Sequence, residues 1–362
     1  MPVLPLSLVR RSAPWLEPLR LLAARAWLRE AEVDAVLGWL HPAWRLNRVF
    51  ARVIGREWVS DDLLALRLRC NGNARGWRPG QHVQLHLELG GVRHGRSYSL
   101  TRVDPDGCVE LGIRRQPGGR ISNHVLDHLP VGAVVELGQA AGELHWPERA
   151  AGVGLLAAGS GITALLGLMR EALARGYAAP VTLLHYVREA GQRAYQGELQ
   201  QLMRRHPNLQ VRWLLTGPDA PADARGGRFQ PGHLLGMSGF ELLACGPAGF
   251  VEAVRNGWDG VLQSEAFSPL RRVLEPGQAV RLDFFRSRLE ANGDSARSLL
   301  EQAEAHGLRP AHGCRQGICA SCTCLLLGGA VRDLRSGEVF AEPGQPIRPC
   351  VSAPLGDVRI DL

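Results

Sequence analysis

Cys314, Cys319 and Cys322 stand as C-x4-C-x2-C, and Cys350 follows after 27 intervening residues. No other feature constrains the fold of this chain as tightly. Four thiolates in that pattern suit a [2Fe-2S] cluster, because one wrapped loop can supply three of them and a distant strand must deliver the fourth. Gly313 and Gly317 let such a loop fold tightly and turn backbone N–H groups toward the sulfides. Structural zinc is the rival, but zinc modules pair their ligands as C-x2–4-C twice. One triplet with a lone distant cysteine fits that poorly. Cys324, two residues past Cys322, would share its face on a strand, and it reads as a small buried core thiol. Clustered thiols in a chain that is neither short nor led by a signal peptide point to metal in a reducing, cytoplasmic compartment rather than to disulfides.

The rest of the chain must therefore support a redox centre. At 362 residues, 45% hydrophobic and 21% charged, it is long enough for two or three domains with real cores, and a mostly disordered chain is excluded. All 42 basic residues are arginine and the net charge is +7, with no basic run, so nucleic acid gains no support as a partner. Residues 279–362 carry ten Arg against ten Asp plus Glu. The excess positive charge thus belongs to the first 278 residues, where small anions and lipid are its natural partners. Ala150 to Met169 is uncharged over a membrane-spanning length, yet Gly-Ser-Gly interrupts it. It reads as a buried strand, a glycine turn and a helix.

The texture divides the chain. Residues 1–45, with Trp15, Trp27, Trp39 and Trp44 among Leu and Arg, predict a helical extension. One reading packs it on the next domain, and a sharper one rests it on a membrane. Residues 46–147 alternate as short strands, clearest from Gln81 to Leu89 before Gly90-Gly91, and predict a small antiparallel barrel with His82 and His86 on its polar face. From 148 to 270, apolar runs at Val153–Ala158, Val181–Tyr186, Val211–Leu215 and Leu242–Cys245 alternate with helical patterns, as in a doubly wound parallel α/β sheet. A linker at 271–278 leads into the cysteine-bearing unit, 279–362. The whole is a multidomain α+β chain.

Two weak signals strengthen each other in the barrel. Arg96, Ser97, Tyr98 and Ser99 offer a guanidinium fork for pyrophosphate, a flat face for a flavin ring and a hydroxyl near its reactive nitrogen. Gly119, Arg120, Ile121 and Ser122 open a helix whose N–H groups suit a second phosphate. In the α/β region, Gly159, Ser160, Gly161, Ile162 and Thr163 join strand to helix as a phosphate loop. Cys245, Gly246 and Pro247 end a later strand at the carboxyl edge. Arg188, just after the second strand, and Arg193 are placed for a 2′-phosphate, which favours NADPH over NADH.

In this order, these motifs resemble the ferredoxin–NADP⁺ reductase superfamily with a C-terminal plant-type ferredoxin domain, over residues 46–362. The resemblance implies an antiparallel Greek-key barrel for FAD, a nicotinamide-nucleotide domain and a β-grasp ferredoxin domain. It implies that Arg96, Tyr98 and Ser99 hold FAD, Gly119 and Ser122 its pyrophosphate, and Gly159, Gly161 and Thr163 the nucleotide phosphates. Cys245 would sit against the nicotinamide, with Glu265 and Phe267 as the acidic and aromatic pair near the flavin. Ala164 departs from the family's usual Pro. The segments Gly313–Cys319, Val331–Gly337 and Cys350–Pro354, with the Trp-rich extension, look like bacterial reductases that feed acyl-CoA desaturases. The expected activity is hydride transfer from NAD(P)H to the flavin, then single-electron transfer through the cluster to a protein acceptor. The first choice of acceptor is a membrane fatty-acyl desaturase, reached from the inner face of the membrane, and the alternative is an aromatic-ring or other oxygenase. From a different class, the tail would be a redox-sensing or zinc-binding interaction module on a degenerate reductase scaffold.

Overall fold

The computed structural model describes residues 5–218, 227–267, 277–313, 315, 317 and 322–362. They form two compact units, Met1–Ala266 and Phe267–Leu362. The linker expected at 271–278 lies, up to 276, outside the described residues, as do Cys314 and Cys319.

The first unit opens with helices α1 (Leu6–Ser12), α2 (Glu17–Ala24) and α3 (Glu30–Leu40). Leu16 and Leu37 pack with Leu46, while Leu6, Val9 and Ala43 pack against Phe50 and Val134 of the barrel. Two polar ties fix the extension. Asp34 accepts the Leu46 N–H at 2.7 Å, and Arg20 donates to the Leu46 carbonyl and to Asn73. The packed reading of this segment is therefore correct for its inner face, and its outer face leaves Trp15, Trp27 and Trp39 exposed at 82%, 73% and 76%.

Strands β1 (Val49–Trp58), β2 (Leu63–Cys70), β3 (His82–Leu89), β4 (Val92–Val103), β5 (Cys108–Arg114) and β6 (Val134–Leu137) close an antiparallel barrel in the order β1-β2-β5-β4-β3-β6. Alternation sends Leu64, Leu66, Leu68, Val83, Leu85, Leu111 and Ile113 inward. Gly90 and Gly91 both take positive φ, +59° and +72°, which the tight β3–β4 turn requires. Helix α4 (Arg120–His128) closes one end, with Ile121, Val125 and Leu126 in the barrel core.

Strands β7 (Val153–Ala158), β8 (Val181–Val187), β9 (Leu209–Leu215), β10 (Glu241–Gly246) and β11 (Leu262–Ala266) form a fully parallel sheet in the order β11-β10-β7-β8-β9. Helices α5 (Ile162–Ala174), α6 (Gln196–Arg205) and α7 (Ala248–Asn256) cross between the strands. The uncharged stretch is β7, a turn and α5. That helix is apolar nearly all round because it is covered on two sides. A Cβ on Gly167 would come within 2.7 Å of the Leu100 carbonyl, so α5 lies directly on the barrel. Among the described residues, no helix is long and apolar enough to cross a membrane.

The second unit has β12 (Ala279–Phe284), β13 (Leu289–Asp294), helix α8 (Leu299–Ala305), β14 (Cys324–Gly328), β15 (Val331–Asp333), β16 (Val339–Phe340), β17 (Pro346–Ile347), β18 (Ser352–Pro354) and β19 (Val358–Ile360). A five-stranded sheet, β13-β12-β19-β14-β17, packs Val280, Leu282, Phe284, Leu326 and Ile360 against Leu299 and Ala303 of α8. A smaller sheet runs β16-β15-β18. Ser298 caps α8 by accepting from the Glu301 N–H.

Candidate functional site

On the barrel, β3 and β4 pair His82 with Ser99, Val83 with Tyr98, Gln84 with Ser97 and Leu85 with Arg96. One face of that ribbon therefore carries His82, Gln84, Ser97 and Ser99. Both ring nitrogens of His82, Nε2 of Gln84 and Oγ of Ser97 are buried with no hydrogen-bond partner among the described residues. Buried polar atoms are rarely left unmade without a reason, so this face has the donors and acceptors that a polar ring system needs. Burial pushes the Tyr98 phenol up, which keeps it neutral. Gly119 is the N-cap of α4, no side chain caps that end, and a Cβ there would strike Ser122 Oγ at 2.3 Å. The first-turn N–H groups are thus left without a capping side chain, as a bound phosphate requires. Arg120 is exposed, whereas Ile121 is core and would offer only its backbone. These residues fit FAD.

The parallel sheet reverses its winding between β7 and β10, and ligands bind at such a switch point. The Gly159 loop follows β7, and Cys245, Gly246 and Pro247 end β10, so the two sequence segments meet at that point. Gly159 takes φ +55°, and a Cβ on Gly161 would lie 1.9 Å from the Cys245 carbonyl oxygen, so the loop packs backbone to backbone on β10. Ile162 and Thr163 are buried, Ser160 only partly. Thr163 donates its hydroxyl to the Ser160 carbonyl at 2.9 Å and turns its methyl toward Gly112, which braces the loop from below. Cys245 is fully buried, and burial, then the Glu265 carboxylate, pushes its thiol well above the ordinary range. Arg188 is exposed past β8, and Arg193 has a buried Nε with no hydrogen-bond partner among the described residues.

Three of the catalytic candidates, Ser99, Cys245 and Glu265, converge. Cys245 and Glu265 are register partners on β10 and β11, and Glu265 Oε1 lies 3.4 Å from His82 Nδ1. Phe267, half-buried, lies two residues past Glu265. His82 is the residue that sequence reasoning missed. Alternation places it on a polar barrel face, whereas the fold covers that face and leaves His82 5% exposed. His185 was not singled out either. It is fully buried, with Nε2 3.0 Å from the Gly159 carbonyl, and burial lowers its pKa to about 4, so it supports the phosphate loop as a neutral ring. A lone His inside an apolar strand gives no sequence signal for that role.

In the second unit, Cys322 and Cys350 are buried in one small cluster with Leu300 and Val351. Cys324 instead packs toward the main core and pairs with Ile347. Two of the four proposed thiols thus share one buried patch. Gly317, from the same loop, takes φ +69°. This donor set fits a cluster held by thiolates.

Comparison with known proteins gives three family matches: an oxidoreductase FAD-binding domain over residues 51–146, an oxidoreductase NAD-binding domain over 155–256, and a 2Fe-2S iron-sulfur cluster binding domain over 285–355. The chain is 29% identical over 341 residues to an NADPH oxidoreductase of Mycobacterium tuberculosis, covering 91% of this chain and 88% of that one. It is 31% identical to the heme-dependent oxidative N-demethylase beta subunit of Ectopseudomonas mendocina, covering 79% and 90%. In fold it is similar to phthalate dioxygenase reductase, with a TM-score of 0.58 at 21% identity over 87% of this chain and 98% of that one.

Proposed function

The chain belongs to the ferredoxin–NADP⁺ reductase superfamily, in the form that carries a C-terminal [2Fe-2S] domain, and from that premise we propose how its residues divide the work and which acceptor it serves. It is an oxidoreductase that uses NAD(P)H, FAD and a [2Fe-2S] cluster. When bound, the flavin converts a two-electron hydride donor into single electrons, and the cluster passes them on. The chain's own residues position and tune. Arg96, Tyr98 and Ser99 hold the flavin on β4, with the α4 N-terminus on its pyrophosphate. The Gly159 loop and Cys245–Pro247 hold the nicotinamide nucleotide across the switch point. Glu265 stands at the junction as the proton-handling carboxylate, and Cys314, Cys319, Cys322 and Cys350 ligate the cluster.

The observation that carries this reading is the convergence of Ser99, His82, Glu265 and Cys245, two from the barrel side and two from the sheet side. Arg188, exposed and with no carboxylate in ion-pair distance among the described residues, supports NADPH through a 2′-phosphate contact. Replacing Arg188 by Ala is expected to raise KM for NADPH about tenfold and leave KM for NADH unchanged. Equal effects on both nucleotides exclude that role.

For the acceptor, the reading is a membrane fatty-acyl desaturase approached along the bilayer surface. It is supported by the exposed Trp15, Trp27 and Trp39, an amphipathic aromatic set that suits the membrane interface. The second reading, an oxygenase component, is favoured by the relative named as an N-demethylase subunit. Deleting residues 1–45 is a poor test, because Leu16 and Leu37 cover the barrel's Leu46 side. The triple variant Trp15→Ser, Trp27→Ser, Trp39→Ser leaves that packing intact. Under the desaturase reading it loses vesicle binding and desaturase-coupled turnover while keeping reduction of a soluble dye. Retained vesicle binding, or full turnover with a soluble oxygenase alone, overturns it.

A further inference from the structure

The segment Val331–Gly337, so far only part of a resemblance, lies against Gly317. Gly317, between Cys314 and Cys319 in the chain, sits at φ +69°. A Cβ there would come 2.7 Å from Val351 Cγ2 and 2.9 Å from Arg335 Cζ. Arg335 belongs to a turn in which Asp333 Oδ1 accepts the N–H groups of Arg335 and Ser336, at 2.7 and 3.1 Å. Leu334 N–H donates to the Val351 carbonyl at 2.7 Å, which joins that turn to the segment of Cys350. Arg348 completes the enclosure. Its Nη1 donates to the Gly317 carbonyl at 2.5 Å, and its own carbonyl accepts from Val351 N–H and Ser352 Oγ at 2.9 and 3.0 Å. Arg348 therefore ties the segment that delivers the fourth cysteine to the loop that carries the other three.

The charges around this loop are unequal. Arg315 is paired with Glu304 and Arg335 with Asp333, and farther away Arg286 pairs with Asp361 and Arg359 with Asp283. Among the described residues, no carboxylate lies within ion-pair distance of Arg348. Its positive charge, two residues before Cys350, thus has no ion-pair partner among the described residues. Taking up an electron adds one negative charge to a thiolate-held cluster, so an uncompensated cation beside it stabilises the reduced form more than the oxidised one.

We propose that Arg348 is a positioning residue for the [2Fe-2S] loop, clamping it through the Gly317 carbonyl, and that its unpaired charge raises the cluster's reduction potential. Arg335 is the charge-balanced counterpart, because Asp333 pairs with it. The inference rests on the reading of Cys314, Cys319, Cys322 and Cys350 as ligands. It adds two residues that no cysteine pattern points to.

The test is a redox titration of the full-length holoprotein followed by electron paramagnetic resonance, with cluster loss to a chelator timed in parallel. Arg348→Gln is expected to move the midpoint to more negative potential and to speed cluster loss several-fold. Arg348→Lys keeps the charge and is expected to hold the midpoint near that of the unsubstituted protein. Arg335→Gln is expected to speed loss without moving the midpoint. If Arg348→Gln changes neither quantity, or if Arg335→Gln shifts the midpoint as far as Arg348→Gln does, the assignment is overturned. A holoprotein with no iron–sulfur signal overturns the ligand reading itself, and this assignment with it.

Discussion

His82 Nδ1 stands 3.4 Å from Glu265 Oε1, and this contact joins the barrel to the parallel sheet. His82 faces Ser99 across β3 and β4, and Glu265 faces Cys245 across β10 and β11, so the pair completes a line of four candidate catalytic side chains. Among the described residues the imidazole of His82 has no hydrogen-bond partner, which leaves Glu265, at ion-pair distance, as the group it orients. Glu265→Gln removes the proton-handling carboxylate and is expected to lower kcat with NADPH by roughly 10²-fold. His82→Gln keeps a polar group beside the carboxylate, so it should cost less and leave KM for NADPH unchanged. Stopped-flow reduction of the bound flavin measures both. A Glu265→Gln enzyme with unaltered flavin reduction excludes the carboxylate from the step.

What the sequence made legible was whatever repeats along the chain or clusters within it. Alternation located β3, the glycine turn located the β7–α5 junction, and cysteine spacing singled out the thiols. His82 escaped because alternation says which residues share a face and not whether another element covers that face. The same limit applies to Arg170, a mid-helix arginine whose partners come from β4, β5 and α6. Cys324 shows the opposite case, where spacing beside a motif invites a role and packing against a separate core decides it.

His185 makes stability depend on pH. Burial holds its folded pKa near about 4, below the ordinary value of 6.5, so the unfolded chain binds the proton more readily. The contribution is fully present above pH 6.5 and is lost progressively as pH falls from 6.5 toward 4. The shift corresponds to about 3 kcal/mol. Urea denaturation of the protein and of His185→Gln at several pH values should show the gap between them narrowing through that window. A gap that does not vary with pH removes His185 from the effect.

Arg170 is a largely buried hub between the barrel and the nucleotide sheet. It donates to Glu198 through two nitrogens at 2.7 and 2.5 Å, to Glu110 at 3.0 Å and to the Thr101 carbonyl at 2.9 Å. Glu110, also bonded by Thr101 Oγ1 at 2.6 Å, is kept ionised because these partners outweigh its burial. Arg170→Met strands the Glu110 charge in a buried site and is expected to cost about 3–5 kcal/mol in urea unfolding. Adding Glu110→Gln removes the stranded charge and should restore part of the loss. A double variant no more stable than the single one refutes the charge argument.

Cys322 and Cys324 are two residues apart and belong to different environments, which gives a sharp contrast. Cys322 lies in the buried patch with Cys350, whereas Cys324 packs toward the sheet core and faces Ile347. Cys322→Ser is therefore expected to abolish the visible iron–sulfur absorption, with flavin content unchanged, because a cluster of this type needs four thiolates. Cys324→Ser should keep the cluster and full iron content. Its cost is confined to stability, on the order of 1–3 kcal/mol for placing a hydroxyl in a largely apolar setting. Iron analysis and absorption spectra of the two purified variants decide the matter. Loss of iron from Cys324→Ser at undiminished thermal stability would make Cys324 a ligand after all.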